Sequence, residues 1–380
     1  MDPNPVRNLQ IISSPGVGGR ELVPPLLARE LQTAGHPTWL AARPGTLVER
    51  WGLDLGLRVW PTKLHGYADL RSVLALAAFL RQEKIQIIHA HWSRDLSNLI
   101  LASGLSGRIP IVLTKHVYAT EPKRDPFHTW VYRHTDRVLA VSQVVAENVR
   151  QTVRIETGKV LTVYNGLDLR ERWNRSRVAT ADLRAQFGVP AGAPILGFAG
   201  RLNAGKGPHL VLEAFARLAS KYPLWHLVLV GRAVGESEEN YLAGLREIIQ
   251  TRGLARRVHL VDYRTDMPEV MRTFDVLACP SVFESFGMVV IEAMAMGCAV
   301  VGSDSGGIPE IISSGVNGAL FAAGDSHALA VSLEPLLAKP EIRQRLGEAG
   351  WKMVCDRFSL EHSARQVYEI YQTLLKPQQT

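Results

Sequence analysis

The stretch Pro280-Ser-Val-Phe-Glu284-Ser-Phe-Gly287-Met-Val-Val-Ile-Glu292 sets two carboxylates eight positions apart across a loop-to-helix junction. The apolar run before it, 274–279, has the length of a buried strand. The run after it, 288–296, reads as a helix that stops at Gly297, the residue type found just past helix ends. Strand, loop and helix in this order are the repeating piece of a parallel α/β layer. The helix start offers free N–H groups and the positive end of a dipole, which suit an anion. The implied geometry is a carboxylate, an anion seat and a second carboxylate one to two turns deeper. Read alone, the two acids could equally be solvated surface groups.

A second constellation lies upstream. Residues 194–200 read as a strand, Arg201-Leu-Asn-Ala-Gly-Lys206-Gly207 as the loop after it, and the chain from Pro208 as a helix, with Leu210, Ala214 and Leu218 on one face. Two cations five apart in a glycine-rich loop at a strand end can converge on one diphosphate, Arg as a planar fork and Lys as a point charge. Gly200 to Lys206 also fits most of a phosphate-binding P-loop. That motif requires Ser or Thr next, for magnesium, and Gly207 stands there. A P-loop NTPase is disfavoured on this ground.

Outward from these loops, apolar runs alternate with helical patterns along the whole chain. Strands are expected at 9–13, 38–41, 58–60, 85–89, 111–114, 137–141 and 160–164, then at 195–199, 226–230, 258–261, 276–279, 299–302 and 319–321. Each half then forms its own doubly wound sheet, with ligands at the carboxyl ends of the strands. The expected division is 1–173, 174–358 and a closing helix at 359–380, with the arginine-crowded stretch 167–180 as linker. A chain of 380 residues suits two domains. No apolar run approaches membrane-spanning length, and the N-terminus lacks a signal-peptide layout. Three cysteines without a C-x-x-C read as reduced structural residues of a cytoplasmic protein.

The first strand leads into Gly16-Val-Gly18-Gly19-Arg-Glu21. A dinucleotide fingerprint would need glycine at 21, and no acid ends the second strand to hold a ribose. A nicotinamide enzyme is disfavoured. His89-Ala-His91 follows a strand; its two histidines are expected on opposite sides, His89 structural and His91 toward the ligand side. Residues 1–175 hold 23 Lys and Arg against 15 Asp and Glu, a net of +8, whereas the remainder nets −1. A basic half can face an anionic membrane or acceptor, or serve solubility alone. The stacking aromatics of RNA-binding modules are missing, which disfavours a nucleic-acid partner.

Taken together, Gly200-Arg201, Lys206-Gly207, Glu284-Ser-Phe-Gly287, Glu292, Ala295-Met-Gly297, Gly306-Gly-Ile-Pro-Glu310 and Gly318 resemble the retaining glycosyltransferases of family 4, of GT-B fold. The resemblance implies two Rossmann-like domains facing across a cleft, the last helix crossing back to the first domain, and transfer from a nucleoside-diphosphate sugar to a glycan or glycolipid. It further implies that Arg201, Lys206 and the helix start at Phe286, Gly287, Met288 and Val289 receive the diphosphate, with Gly18 and Gly19 approaching from the other domain. Glu284 would bind the donor sugar, Glu292 the ribose, and Arg232, Tyr263 and Arg264 would lie around the base. His116, which follows the strand at 111–114, matches a histidine beside the transferred sugar. No Asp-x-Asp occurs, so no metal cofactor is expected. The segment 89–142 looks most like enzymes of bacterial cell-surface polysaccharide or lipopolysaccharide, which act at the inner face of the cell membrane. The alternatives are a sugar-nucleotide 2-epimerase of the same fold or a non-catalytic nucleotide-sugar-binding subunit.

Overall fold

The computed structural model describes residues 5–16, 18–64, 66, 69–179 and 183–376. It divides into two compact units, Met1–Gly166 with Leu360–Thr380, and Leu167–Ser359. The division falls before the arginine-crowded stretch, not at 173/174. Leu167 accounts for this: its N–H donates to the Phe358 carbonyl at 2.9 Å, tying the stretch to the second unit.

The first unit contains β1 (Asn8–Ile12), α1 (Gly19–Thr33), β2 (Thr38–Ala42), α2 (Leu47–Asp54), β3 (Arg58–Pro61), α3 (Leu70–Gln82) and β4 (Ile87–Ala90). It continues with α4 (Leu96–Leu105), β5 (Ile111–Lys115), α5 (Pro126–Arg133), β6 (Arg137–Ala140), α6 (Gln143–Thr152) and β7 (Val160–Thr162). The second holds α7 (Arg184–Phe187), β8 (Ile195–Ala199), α8 (Pro208–Leu218), β9 (His226–Val230), α9 (Glu236–Thr251), β10 (Val258–Val261) and α10 (Met267–Thr273). After these come β11 (Val276–Cys279), α11 (Met288–Ala295), β12 (Ala299–Ser303), β13 (Ala319–Phe321), α12 (Ser326–Ala338) and α13 (Pro340–Arg357). The last helix, α14 (Leu360–Leu375), belongs to the first unit.

Each of the thirteen expected strands forms. They build two sheets, of order β3-β2-β1-β4-β5-β6-β7 and β10-β9-β8-β11-β12-β13, parallel throughout. Inner strands such as β1, β2, β9 and β12 are buried at every position because helices cover both faces, which is why they read as unbroken apolar runs. In each sheet the chain winds one way from a starting strand and then the other. The switch points fall between β1 and β4 and between β8 and β11, where this class of sheet opens a crevice for ligands.

Caps set several helix starts. Asp125 accepts from the His128 N–H ahead of Pro126 in the first turn of α5, and Ser142 accepts from Val145 at α6. α14 buries Leu360, Ser363, Ala364, Val367, Tyr368 and Tyr371, a stripe at helical spacing. Ala364, Val367, Tyr368 and Tyr371 of that stripe pack with Leu27, Leu31, Ile87, Val112 and Leu139 in the core of the first unit. Full burial of each large side chain contributes about 2 kcal/mol.

Candidate functional site

At the switch point of the second sheet, the loop after β8 and the loop after β11 lie directly on one another. Gly207 has φ +70°, and a Cβ there would come within 2.6 Å of the Pro280 carbonyl; the Val282 N–H donates to the Gly205 carbonyl at 3.0 Å. Gly306 (φ +62°) and Gly307 press against the backbone of Glu284 to Phe286, and the Gly307 N–H donates to the Glu284 carbonyl at 2.7 Å. Any side chain at Gly306 would strike that carbonyl, its Cβ only 2.1 Å away. These glycines hold Glu284 in place.

In this frame Lys206 forms an ion pair with Glu284, whose carboxylate also accepts from Ser281 Oγ at 2.8 Å. Arg201 turns to Glu238 on α9, at 2.5 Å, rather than meeting Lys206. Asn203 also donates to Glu238, at 2.8 Å. Both cations are thus neutralised by carboxylates, and a diphosphate binding here must compete for them. Sequence reasoning missed Glu238, because an acid in the first turn of an amphipathic helix looks merely solvated. Gly287 caps α11 in the left-handed region at φ +107°, and Phe286 behind it packs edge-on against Phe358, ring centroids 5.5 Å apart. Met288 and Val289, partly buried, form the first turn of α11.

Glu292 lies on α11 beside Arg172. Burial pushes its carboxyl up to about 7, with Arg172 pulling the other way. The residue keeps some solvent contact, so the surrounding protein, rather than complete enclosure, disfavours its charge. The native state therefore holds a proton here that the unfolded chain has already released above about pH 4.5. Stability conferred by the protonated group is present below that pH and falls as pH rises toward 7. Glu292→Gln should abolish the loss, so its melting temperature should exceed that of wild type at pH 8 and match it near pH 4.5, as read by calorimetry.

The residues expected around a base divide. Arg232 is exposed and its guanidinium lies 4.5 Å from the Tyr263 ring centroid, a stacked pair open to a ligand. Arg264 is instead held by Asp266, at 2.8 and 2.5 Å, and by Gln186 at 3.1 Å, so it serves as a local clamp.

At the switch point of the first sheet, Gly18 precedes α1 in extended conformation and Gly19 begins it. Glu21, buried, accepts from Ser14 at 2.8 Å and pairs with Arg20 at 2.6 Å, which ties the loop down. Across β1 the expected divergence of His89 and His91 fails. Residues two apart on a strand share a face, and the rings stack with centroids 4.5 Å apart. His91 is 1 % exposed, so it does not line an open surface; its Nδ1 lies 3.2 Å from Nε2 of His116. Burial holds the His116 imidazole down to about 3, with Arg20 and Lys115 adding to the effect, so the ring is neutral at working pH.

Among the described residues no group of three or more His, Cys, Asp or Glu is placed to hold a metal ion. The cysteines are free; Cys279 and Cys298 are buried and Cys355 is exposed.

Two doubly wound parallel units, the second with a cation–carboxylate cluster at its switch point, make up a fold of GT-B type. The sequence profile of glycosyl transferases group 1 matches residues 180–353, and that of glycosyltransferase family 4 matches residues 17–171. Alpha-maltose-1-phosphate synthase of Mycolicibacterium smegmatis is 32% identical over 76% of this chain and 79% of its own. The lipopolysaccharide core biosynthesis mannosyltransferase LpcC of Rhizobium leguminosarum is 28% identical over 80% and 83%. The crystal structure of Anabaena HepE in complex with UDP superimposes with a TM-score of 0.83 at 23% identity, covering 97% of this chain and 100% of that one. The chain belongs to the family 4, group 1 glycosyltransferases, and its activity is sugar transfer.

Proposed function

We propose that this enzyme moves a sugar from a nucleoside-diphosphate donor to a glycan or glycolipid acceptor, with retention of anomeric configuration and without a metal ion. The observation that carries the reading is the Lys206–Glu284–Ser281 cluster at the β8/β11 switch point, with Glu292 on the helix that follows. In the reaction the bond from the anomeric carbon to the diphosphate breaks, and a bond to the acceptor hydroxyl forms on the same face. The departing phosphate oxygen takes the hydroxyl proton. Lys206, Arg201 and the N–H groups at the start of α11 stabilise the charge left on the diphosphate. Glu284 holds a sugar hydroxyl and offsets the positive charge growing at the anomeric carbon. Glu292 holds the ribose, and Arg232 with Tyr263 flanks the base.

The UDP bound to HepE supports a nucleotide donor. The relationship to LpcC supports an acceptor of the lipopolysaccharide or cell-surface polysaccharide kind. The surplus positive charge of residues 1–175 supports docking of an anionic or membrane-presented acceptor on the first unit, at the inner face of the membrane. Among the described residues no helix is long and apolar enough to cross a membrane.

The test is a panel of UDP-, GDP- and ADP-sugars offered with candidate acceptors, the anomeric configuration of the product being read by NMR. An inverted product would overturn the same-face route. Turnover should persist in excess chelator; abolition by chelator with rescue by magnesium or manganese would show that the loop cations are insufficient.

A further inference from the structure

Inside the first unit runs a chain of buried polar groups whose hydrogen-bond directions are forced from one end to the other. Asn8 and Gln10 are the polar residues of β1, and both are fully buried. Asn8 Nδ2 lies 3.2 Å from the Val6 carbonyl, which can only accept, so this side of the Asn8 amide must be its NH2 group. Its Oδ1 then faces Gln10 at 2.8 Å and accepts from the Gln10 NH2 group, which also donates to Tyr371 Oη at 2.9 Å. Gln10 Oε1 is left facing His91 Nε2 at 2.9 Å, which must therefore carry a proton. His91 is enclosed between two other imidazoles and is neutral, so its Nδ1 can only accept. It accepts from His116 Nε2 at 3.2 Å. His116 is neutral in its turn, which leaves its Nδ1 as a lone pair without a hydrogen-bond partner among the described residues.

We infer that the chain Val6–Asn8–Gln10–His91 fixes His116 in the Nε2–H tautomer and presents its Nδ1 as a hydroxyl-accepting atom, with Gln10, His91 and Tyr371 as positioning residues. The ligand group this suits is a sugar or acceptor hydroxyl, which donates to the lone pair; a phosphate or carboxylate, which has no proton to give, is disfavoured there. The inference rests on the transferase reading only for what His116 touches. Tyr371 brings the C-terminal helix into the arrangement: its hydroxyl accepts from Gln10 and donates to His89 Nδ1, 2.6 Å away. His89 then donates through Nε2 to Thr114 Oγ1 at 2.6 Å, a side branch that does not reach His116.

The experiment is two-bond proton–nitrogen NMR of the full chain carrying nitrogen-15 histidine, with His116 assigned by loss of its signals in His116→Asn. The wild type should show His91 and His116 as Nε2–H tautomers. Gln10→Leu removes the acceptor that orients His91; His116 should become a mixture of tautomers, and kcat should fall on the order of a hundredfold with the donor KM little changed. Tyr371→Phe keeps the packed ring and removes one of the two acceptors of the Gln10 NH2 group, so it should give an intermediate shift. It serves as the test if Gln10→Leu does not fold. Thr114→Val, which removes a buried hydroxyl from the side branch, should leave the His116 tautomer and kcat unchanged; a merely structural network would not separate these variants. An Nδ1–H tautomer of His116 in the wild type, or an Nε2–H tautomer left unchanged by Gln10→Leu and by Tyr371→Phe, overturns the assignment. A scrambled tautomer with unchanged kcat overturns the positioning role. The tautomer is read without substrate, so failure of the transferase reading would leave that measurement standing and would show instead as absence of sugar transfer by the wild type; full transfer by His116→Ala would overturn the contact of His116 with a reacting hydroxyl.

Discussion

Lys206→Ala is expected to lower kcat/KM for the donor by about two to three orders of magnitude, the effect of removing one preorganised stabiliser of transition-state charge. The ammonium reaches Glu284 where the loops after β8 and β11 touch, so it stands where the leaving diphosphate would gather charge. The loss should fall on kcat as well as on KM, because the diphosphate is more negative once the sugar has departed. The fold should survive, since the two loops are held by the approach of Gly207 to Pro280 and by the bond from Val282 to Gly205, neither of which uses the side chain. Ser281 still donates to Glu284 in the variant. Arg201→Ala should cost less, because its guanidinium is more than half exposed and already committed to Glu238. Steady-state kinetics with thermal unfolding as the folding control decide the matter; wild-type rates for Lys206→Ala would remove the diphosphate seat from this crevice.

The sequence carried the architecture well because parallel strands buried on both faces become continuous apolar runs, and the loops between them carry glycines with positional reasons. Gly207, Gly287 and Gly306 are such cases, each with positive φ, and Gly207 and Gly306 press on the backbone of the facing loop. Long-range pairing was not legible. Nothing local marks Glu238 as the partner of Arg201, because the contact depends on how α9 lies over the loop after β8. The His89–His91 stack was open to strand geometry and was misread, since side chains two apart lie on one side. Tyr371 is one position in the buried stripe of α14, and its hydroxyl acquires meaning only when α14 is laid against β1 and β4. One signal was available for that network. Asn8 and Gln10 place two amides at alternate positions in a strand otherwise made of Leu and Ile, and buried amides imply partners.

Glu284→Gln should impair kcat more than Glu292→Gln does, by about one to two orders of magnitude on the pattern of lost electrostatic stabilisation. The two carboxylates differ in surroundings, and those surroundings assign their roles. Glu284 faces the Lys206 ammonium and accepts a hydrogen bond from the Ser281 hydroxyl. A fixed negative charge next to the diphosphate seat is of use only where positive charge develops, at the anomeric carbon; the neutral amide keeps the shape and the hydrogen bonding but loses that stabilisation. Glu292 is instead held near neutrality by burial, with its carboxyl at about 7. A group that is partly protonated at working pH, and that sits deeper on α11, is suited to hydrogen bonds with ribose hydroxyls rather than to charge stabilisation. Its replacement by Gln should therefore raise the donor KM with a smaller change in kcat. The wild-type donor KM should also drift between about pH 6 and 8 as the group ionises, and this drift should be absent in Glu292→Gln. A larger kcat loss for Glu292→Gln than for Glu284→Gln would show the two roles to be exchanged. In that event the charge facing the anomeric carbon would have to come from α11 itself, one to two turns below the anion seat.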